Sequence, residues 1–212
     1  MQNNVKFVTD ESVKYRLGGN EWYAIMEDDN KVMLVDTDCK IDNEKLWALW
    51  SDNYWESEEG ENGQRILDYT NSIANTYFSN IKHAIEPRTV EAGTGKLEDA
   101  YMWPMSYEEF ECNKVVGGKI VENSNNHVWT RTFSGTGCSV SNVWTRKLSG
   151  ILHNKNCRYA WVVSNINGDL GNSIVSNVDC VAPAFYLKKS EVDHISGDGE
   201  IVLKPADTGI TN

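Results

Sequence analysis

Apolar and polar positions change rhythm twice along this chain. At the start the rhythm is that of strands. Val5-Lys6-Phe7-Val8 alternates, and two β-rich runs, 21–26 and 31–35, flank Asp28-Asp29-Asn30, which predicts a hairpin. Helical spacing follows. Leu46, Trp47, Leu49 and Trp50 form a short apolar face after Asp42, a candidate N-cap, and predict a first helix. Ile66, Ile73, Tyr77 and Ile81, with Leu67, Ala74, Phe78 and Ile85, repeat at the spacing of one buried stripe. They predict a longer helix over 64–84, ended by Pro87 and the residue before it. The acidic run 56–63 between the two reads as a solvated connector. Ser106-Tyr107-Glu108-Glu109 is a capping box opening a short helix through Phe110, and Pro104 stops a strand over 101–103.

After residue 113 the helical period disappears. The stretch 113–187 is rich in Gly, Ser, Asn and Thr, with isolated Trp and Val residues, and predicts short strands joined by long polar loops. It holds a local duplication, 127–135 against 142–150, with His127-Val128-Trp129-Thr130-Arg131 matching Asn142-Val143-Trp144-Thr145-Arg146 and both copies ending in Ser-Gly. One duplication is too few for a solenoid, so two similar strands that pair are expected. Asn167-Gly168 marks a hairpin turn. Pro183 inside Ala182-Pro183-Ala184 marks a strand start or edge.

Charge narrows the function. Lys plus Arg is 20 against 31 for Asp plus Glu, a net charge of −11. Such a chain is poorly suited to phosphate backbones or anionic membranes, so neither nucleic acid nor membrane insertion is expected as a partner. No apolar run reaches the roughly 18 residues of a spanning helix, and residues 1–4 carry no signal-peptide pattern. The five cysteines, Cys39, Cys112, Cys138, Cys157 and Cys180, are odd in number and widely spaced. They read as free thiols made in a reducing cytosol, while a Cys138–Cys157 or Cys157–Cys180 bridge also fits the sequence.

Catalytic patterns are missing. The four histidines, His83, His127, His153 and His194, are scattered. There is no Gly-x-Ser-x-Gly, His-Glu-x-x-His or Gly-x-Gly-x-x-Gly, and the 91–96 run is a turn without the Gly-Lys-Ser/Thr of a phosphate loop. Glu108-Glu109 are adjacent on a helix and do not face each other. Asp36-Thr37-Asp38 begins like a calcium loop but lacks its glycine and terminal glutamate. The expectation is a protein that is not an enzyme, with no metal and no cofactor.

Three pieces in series carry a resemblance: Trp129-Thr130-Arg131; the run 159–170, Tyr-Ala-Trp-Val-Val-Ser-Asn-Ile-Asn-Gly-Asp-Leu; and Val181-Ala182-Pro183-Ala184-Phe185-Tyr186-Leu187. Together they resemble the C-terminal core of C-type-lectin-like domains related to formylglycine-generating enzymes. Such domains are found in phage proteins and in the variable proteins of diversity-generating retroelements. The likeness spans roughly residues 20–190. It implies an α+β, C-type-lectin-like fold of short twisted antiparallel strands, two or three helices and long polar loops. One domain over 1–190 is expected, with a loop-rich ligand-presenting half at 113–190 and a C-terminal hairpin or tail at 191–212. Trp129 and Arg131 share a strand face and read as a core device. The formylglycine-generating activity needs a late cysteine pair, and neither Cys157 nor Cys180 lies in such a motif.

The function these features suggest is recognition without catalysis. The expected module belongs to a phage or prophage virion, in a tail or receptor-binding protein, and binds a cell-surface protein or glycan. Its candidate ligand-binding residues are Asn154, Asn156, Arg158, Tyr159, Trp161, Asn172, Ser173, Asn177 and Asp179. Asn and Ser offer donors and acceptors together, and Tyr, Trp and Arg are common anchors of binding surfaces. Asn, Ser and Tyr side chains of this stretch are expected to face solvent, with Val162, Val163, Val178 and Val181 in the core. Two other readings are a structural virion protein contacting only other virion proteins, with the 191–212 hairpin making homo-oligomer contacts, and a variable protein of the bacterial surface.

Overall fold

The computed structural model describes residues 5–10, 12–51, 62–106, 109, 114–116, 119–121, 143–148, 159–164 and 170–206. Its elements run in the order β1 (Tyr15–Leu17), β2 (Asn20–Glu27), β3 (Lys31–Asp36), β4 (Lys40–Ile41), β5 (Glu44–Lys45), β6 (Trp47–Leu49), α1 (Gln64–Tyr77), β7 (Ile85–Glu86), β8 (Arg88–Ala92), β9 (Gly95–Ala100) and β10 (Trp103–Pro104). Then come β11 (Lys114–Val116), β12 (Lys119–Val121), β13 (Val143–Leu148), β14 (Tyr159–Val163), β15 (Leu170–Ile174), β16 (Val178–Cys180), β17 (Pro183–Lys188), β18 (Val192–Ile195) and β19 (Ile201–Leu203). The described residues are mostly strand, with one α-helix and open sheets that close no barrel, an α+β arrangement.

Two sheets dominate. The six-stranded sheet has the order β1-β2-β3-β17-β10, with β7 also pairing β17. Its first hairpin is the expected one, since β2 pairs β3 antiparallel across Asp28-Asp29-Asn30. The Asp28 side chain accepts the N–H groups of Asn30 and Lys31 and so shapes the turn. Pro183 opens β17, where a missing N–H matters least. The five-stranded sheet has the order β15-β14-β13-β16-β6 and carries the candidate site.

The short helix expected over Leu46–Trp50 is replaced by strand. Asp42 and Asn43 adopt positive φ values of 50° and 66°. Both are residues that tolerate the left-handed region, and two in succession build a tight hairpin turn between β4 and β5. Asp42 therefore starts a hairpin turn and caps no helix. Trp47–Leu49 then pairs antiparallel with Val178–Cys180. Val5–Val8, expected as a strand, is irregular, although Phe7 packs edge-on against Tyr15 at 5.0 Å.

The long helix is real but shorter than its stripe. α1 stops at Tyr77, and a 3₁₀ turn at Lys82–Ala84 follows. Ser79 and Asn80 sit in the gap, residues that compete with helix by bonding the backbone locally. Phe78, just past the helix, is fully buried, 5.5 Å from the Trp22 ring. Trp22 in turn meets Phe185 at 4.9 Å, ring edge to face. Gly18, with φ of 62°, makes room for this cluster, since a Cβ there would come within 2.8 Å of the Phe78 ring.

The capping box forms as its sequence predicts. Glu109 N donates to Ser106 Oγ at 3.2 Å, and Ser106 N donates to Glu109 Oε2 at 2.8 Å. Arg88 pairs with Glu109 at 3.3 Å and lies over Trp103, 5.0 Å from its ring centre. The C-terminal hairpin β18–β19 buries Val192 and Ile201 in the same core cluster as the two sheets. Arg16 bridges from β1 to Asp198 and Glu200 of that hairpin. Cys39 and Cys180 are buried, and both bridges that fit the sequence run through Cys157. The remaining cysteines, and Trp129 with Arg131, lie outside the described residues. Trp144, the repeat counterpart of Trp129, is fully buried.

Candidate functional site

The site is built on β14 and β15. These strands pair antiparallel, Tyr159 opposite Ile174, Trp161 opposite Asn172 and Val163 opposite Leu170. Alternation sorts their side chains onto two faces. Ala160 and Val162 are buried, and Ser173, opposite Ala160, is buried with them. Tyr159 and Trp161 are half-buried, and Asn172 is exposed. One face is therefore core. The other carries the half-buried rings of Tyr159 and Trp161 with the exposed Asn172 amide beside them, and is closed over at Val163, which is buried.

Two indoles tie β13 of this sheet to its edge at β6 and Trp50, with β16 between them. Trp144 Nε1 donates to Ala48 O and Trp50 Nε1 donates to Thr145 O, each at 2.9 Å. Both tryptophans are fully buried. Trp144 is opposite Val162, so the anchor lies beside Val162 on the core face of the same sheet.

The turn between β15 and β16 is held by polar groups. Ser173 Oγ donates to Asp179 Oδ2 at 2.7 Å, and Asn177 Nδ2 donates to Ser173 Oγ at 3.0 Å. Asn177 N closes the turn on Ile174 O at 2.7 Å. Ser173 and Asp179 are each only 6% exposed. Asn177 is exposed, and Val178 beside it is 53% exposed.

Of the residues singled out from the sequence, the structure brings Tyr159, Trp161, Asn172, Ser173, Asn177 and Asp179 into one strand–turn region. Asn154, Asn156 and Arg158 lie outside the described residues. Solvent exposure holds for Asn172 and Asn177 and fails for Ser173, which is buried because it bonds the buried Asp179. Val162, Val163 and Val181 are core as expected, but Val178 is surface. It opposes the half-exposed Leu49, two positions along the strand from Trp47, which is also half-exposed. The sequence reading misses this apolar patch. Its signal lies in the alternation of Trp47-Ala48-Leu49, hidden by the helical spacing around it.

No group of His, Cys, Asp or Glu among the described residues has a metal-binding arrangement. No helix among them is long and apolar enough to cross a membrane. Asp36, at the end of β3, is buried and accepts the N–H groups of Asp38 and Lys40. Burial pushes its carboxyl up to about 8 against the pull of those donors. It forms a tight turn with Cys39 at positive φ.

Comparison of the chain with protein-family models, with curated proteins and with solved structures finds no match.

Proposed function

We propose that this chain is a non-catalytic recognition module with a C-type-lectin-like fold, part of a phage or prophage virion, that binds a cell-surface ligand through the β14–β15 region. The observation that carries the reading is the opposition of half-buried Trp161 to exposed Asn172, with Tyr159 two residues along the same face. An aromatic ring held by a strand loses little entropy on binding, and an adjacent amide supplies a donor and an acceptor. The sequence resemblance supports the same assignment, and fold-level likeness alone would not.

The test is adsorption. Fluorescently labelled protein should bind bacterial cells or an arrayed glycan with saturation, and Asn172→Ala should weaken that binding. Absence of saturable binding to either surface contradicts the proposal. A second reading, a structural virion protein, draws on the exposed patch of Val178, Leu49 and Trp47, which suits a protein contact. Changes in that patch would then impair particle assembly and leave adsorption intact.

A further inference from the structure

The hydroxyl of Ser173 stands between an acid and an amide, and the acid dictates the direction of both bonds. A serine hydroxyl has one proton to donate. Ser173 donates it to Asp179 Oδ2, at 2.7 Å. That leaves Ser173 Oγ as an acceptor toward its other neighbour. Asn177 must then turn its NH₂ group inward, and Nδ2 does donate to Ser173 Oγ at 3.0 Å. The carbonyl oxygen is on the other branch of the same amide. Ser173 and Asp179 are buried, whereas Asn177 is exposed.

We propose that Asp179, acting through Ser173, is the specificity-setting residue of this face: it fixes the Asn177 amide with Oδ1 outward, so that this position takes a hydrogen-bond donor from the ligand. The proposal rests on the recognition reading above. Asp179 and Ser173 are then positioning residues and touch no ligand. A free asparagine offers either end of its amide and discriminates little. An oriented one accepts a hydroxyl or N–H and leaves an acceptor group unmatched, and an unmatched polar group at a binding contact is what separates good partners from poor ones.

A thermal-unfolding cycle tests this without a ligand. Asn177→Asp puts a second acceptor against Ser173 Oγ, whose proton Asp179 already holds. Its melting temperature should fall by about 2–4 °C, the shift expected for one lost hydrogen bond in a chain of this size. Combining it with Asp179→Asn should recover at least half of that loss. The new amide at position 179 can donate to Ser173, and Ser173 can then donate to the new carboxylate at position 177, so the whole relay reverses. Additive losses in the double variant, or no loss from Asn177→Asp, would overturn the proposal. Ser173→Ala supplies a second readout by NMR. The Asn177 side-chain amide should lose its slow exchange while the backbone amides of β14 keep theirs. Unchanged exchange at Asn177, or loss of protection throughout β14, would also overturn it. A coupled cycle in a protein that binds no cell or glycan would leave the orientation intact and remove the recognition reading instead.

Discussion

Trp50 and Trp144 exchange anchors across strand β16. Each indole N–H bonds a backbone carbonyl close to the other in sequence, Trp50 to Thr145 O and Trp144 to Ala48 O, both at 2.9 Å. The two residues are 94 positions apart in sequence, and these reciprocal bonds hold the β6 edge of the five-stranded sheet to β13 across β16. Each bond also satisfies a buried donor that would otherwise go unpaired.

Trp144→Phe keeps most of the apolar volume and removes the donor. The expected loss is about 1–3 kcal/mol, the penalty for a buried polar group left without its partner. Urea denaturation of the variant should show a lower midpoint with an unchanged slope. A midpoint equal to the parent's would show that the Ala48 carbonyl finds another donor.

Lys189 is buried at 8% exposure, its ammonium 3.0 Å from Glu27 Oε2 and 3.0 Å from Asp28 O. It ties the 3₁₀ turn after β17 to the β2–β3 turn. Removing one partner of a partly buried pair leaves a charge without its partner, so Lys189→Met should destabilise by about 2–3 kcal/mol. Lys189→Met with Glu27→Leu should be more stable than Lys189→Met alone, because no charge is then left behind. If the double variant is the weaker of the two, Glu27 draws its main support from Phe7 N, which it accepts at 3.3 Å.

Asp36 predicts a pH dependence of opposite sign to that of an ordinary carboxylate. Its folded value of about 8 lies above the roughly 3.9 of an unfolded aspartate. Between those values the folded protein holds a proton that the unfolded chain has released. Stability from this group is complete below about pH 4 and is lost as pH rises toward 8. Asp36→Asn keeps a carbonyl to accept the Asp38 and Lys40 N–H groups and cannot ionise. Denaturation at pH 4.5 and pH 8 should show the variant gaining on the parent by a few kcal/mol at the higher pH, since each pH unit between the two values is worth on the order of 1.4 kcal/mol. A parallel response of both proteins would mean that Asp36 is ionised throughout.

Much of the scaffold is legible in the sequence, wherever local chemistry and tertiary contact agree. The Asp28-Asp29-Asn30 hairpin, the Ser106–Glu109 box and the proline start of β17 are each specified by residues in contact with near neighbours. The Leu46–Trp50 error has a different cause. Its apolar positions suit a helix as well as a strand, and only pairing with Val178–Cys180, far along the chain, selects the strand. The candidate face is legible as a composition, rich in Asn, Tyr and Trp. Which residues face outward is not, because Ser173 is drawn inward by an acid six residues on. Val178 is left outside because β6 and β16 meet there at an open surface.

Recognition by the β14–β15 face is tested most directly by measuring adsorption and stability on one variant. Asn172→Ala changes one exposed side chain. An exposed substitution of this kind shifts stability by roughly 0.5 kcal/mol or less, while loss of a binding anchor costs about 2 kcal/mol. A saturation isotherm of the labelled parent and variant on the same bacterial cells, with melting curves beside it, separates the two effects. The account predicts melting within about 2 °C of the parent and affinity at least tenfold weaker. Equal adsorption by both proteins, or a large fall in melting temperature with adsorption retained, would contradict it.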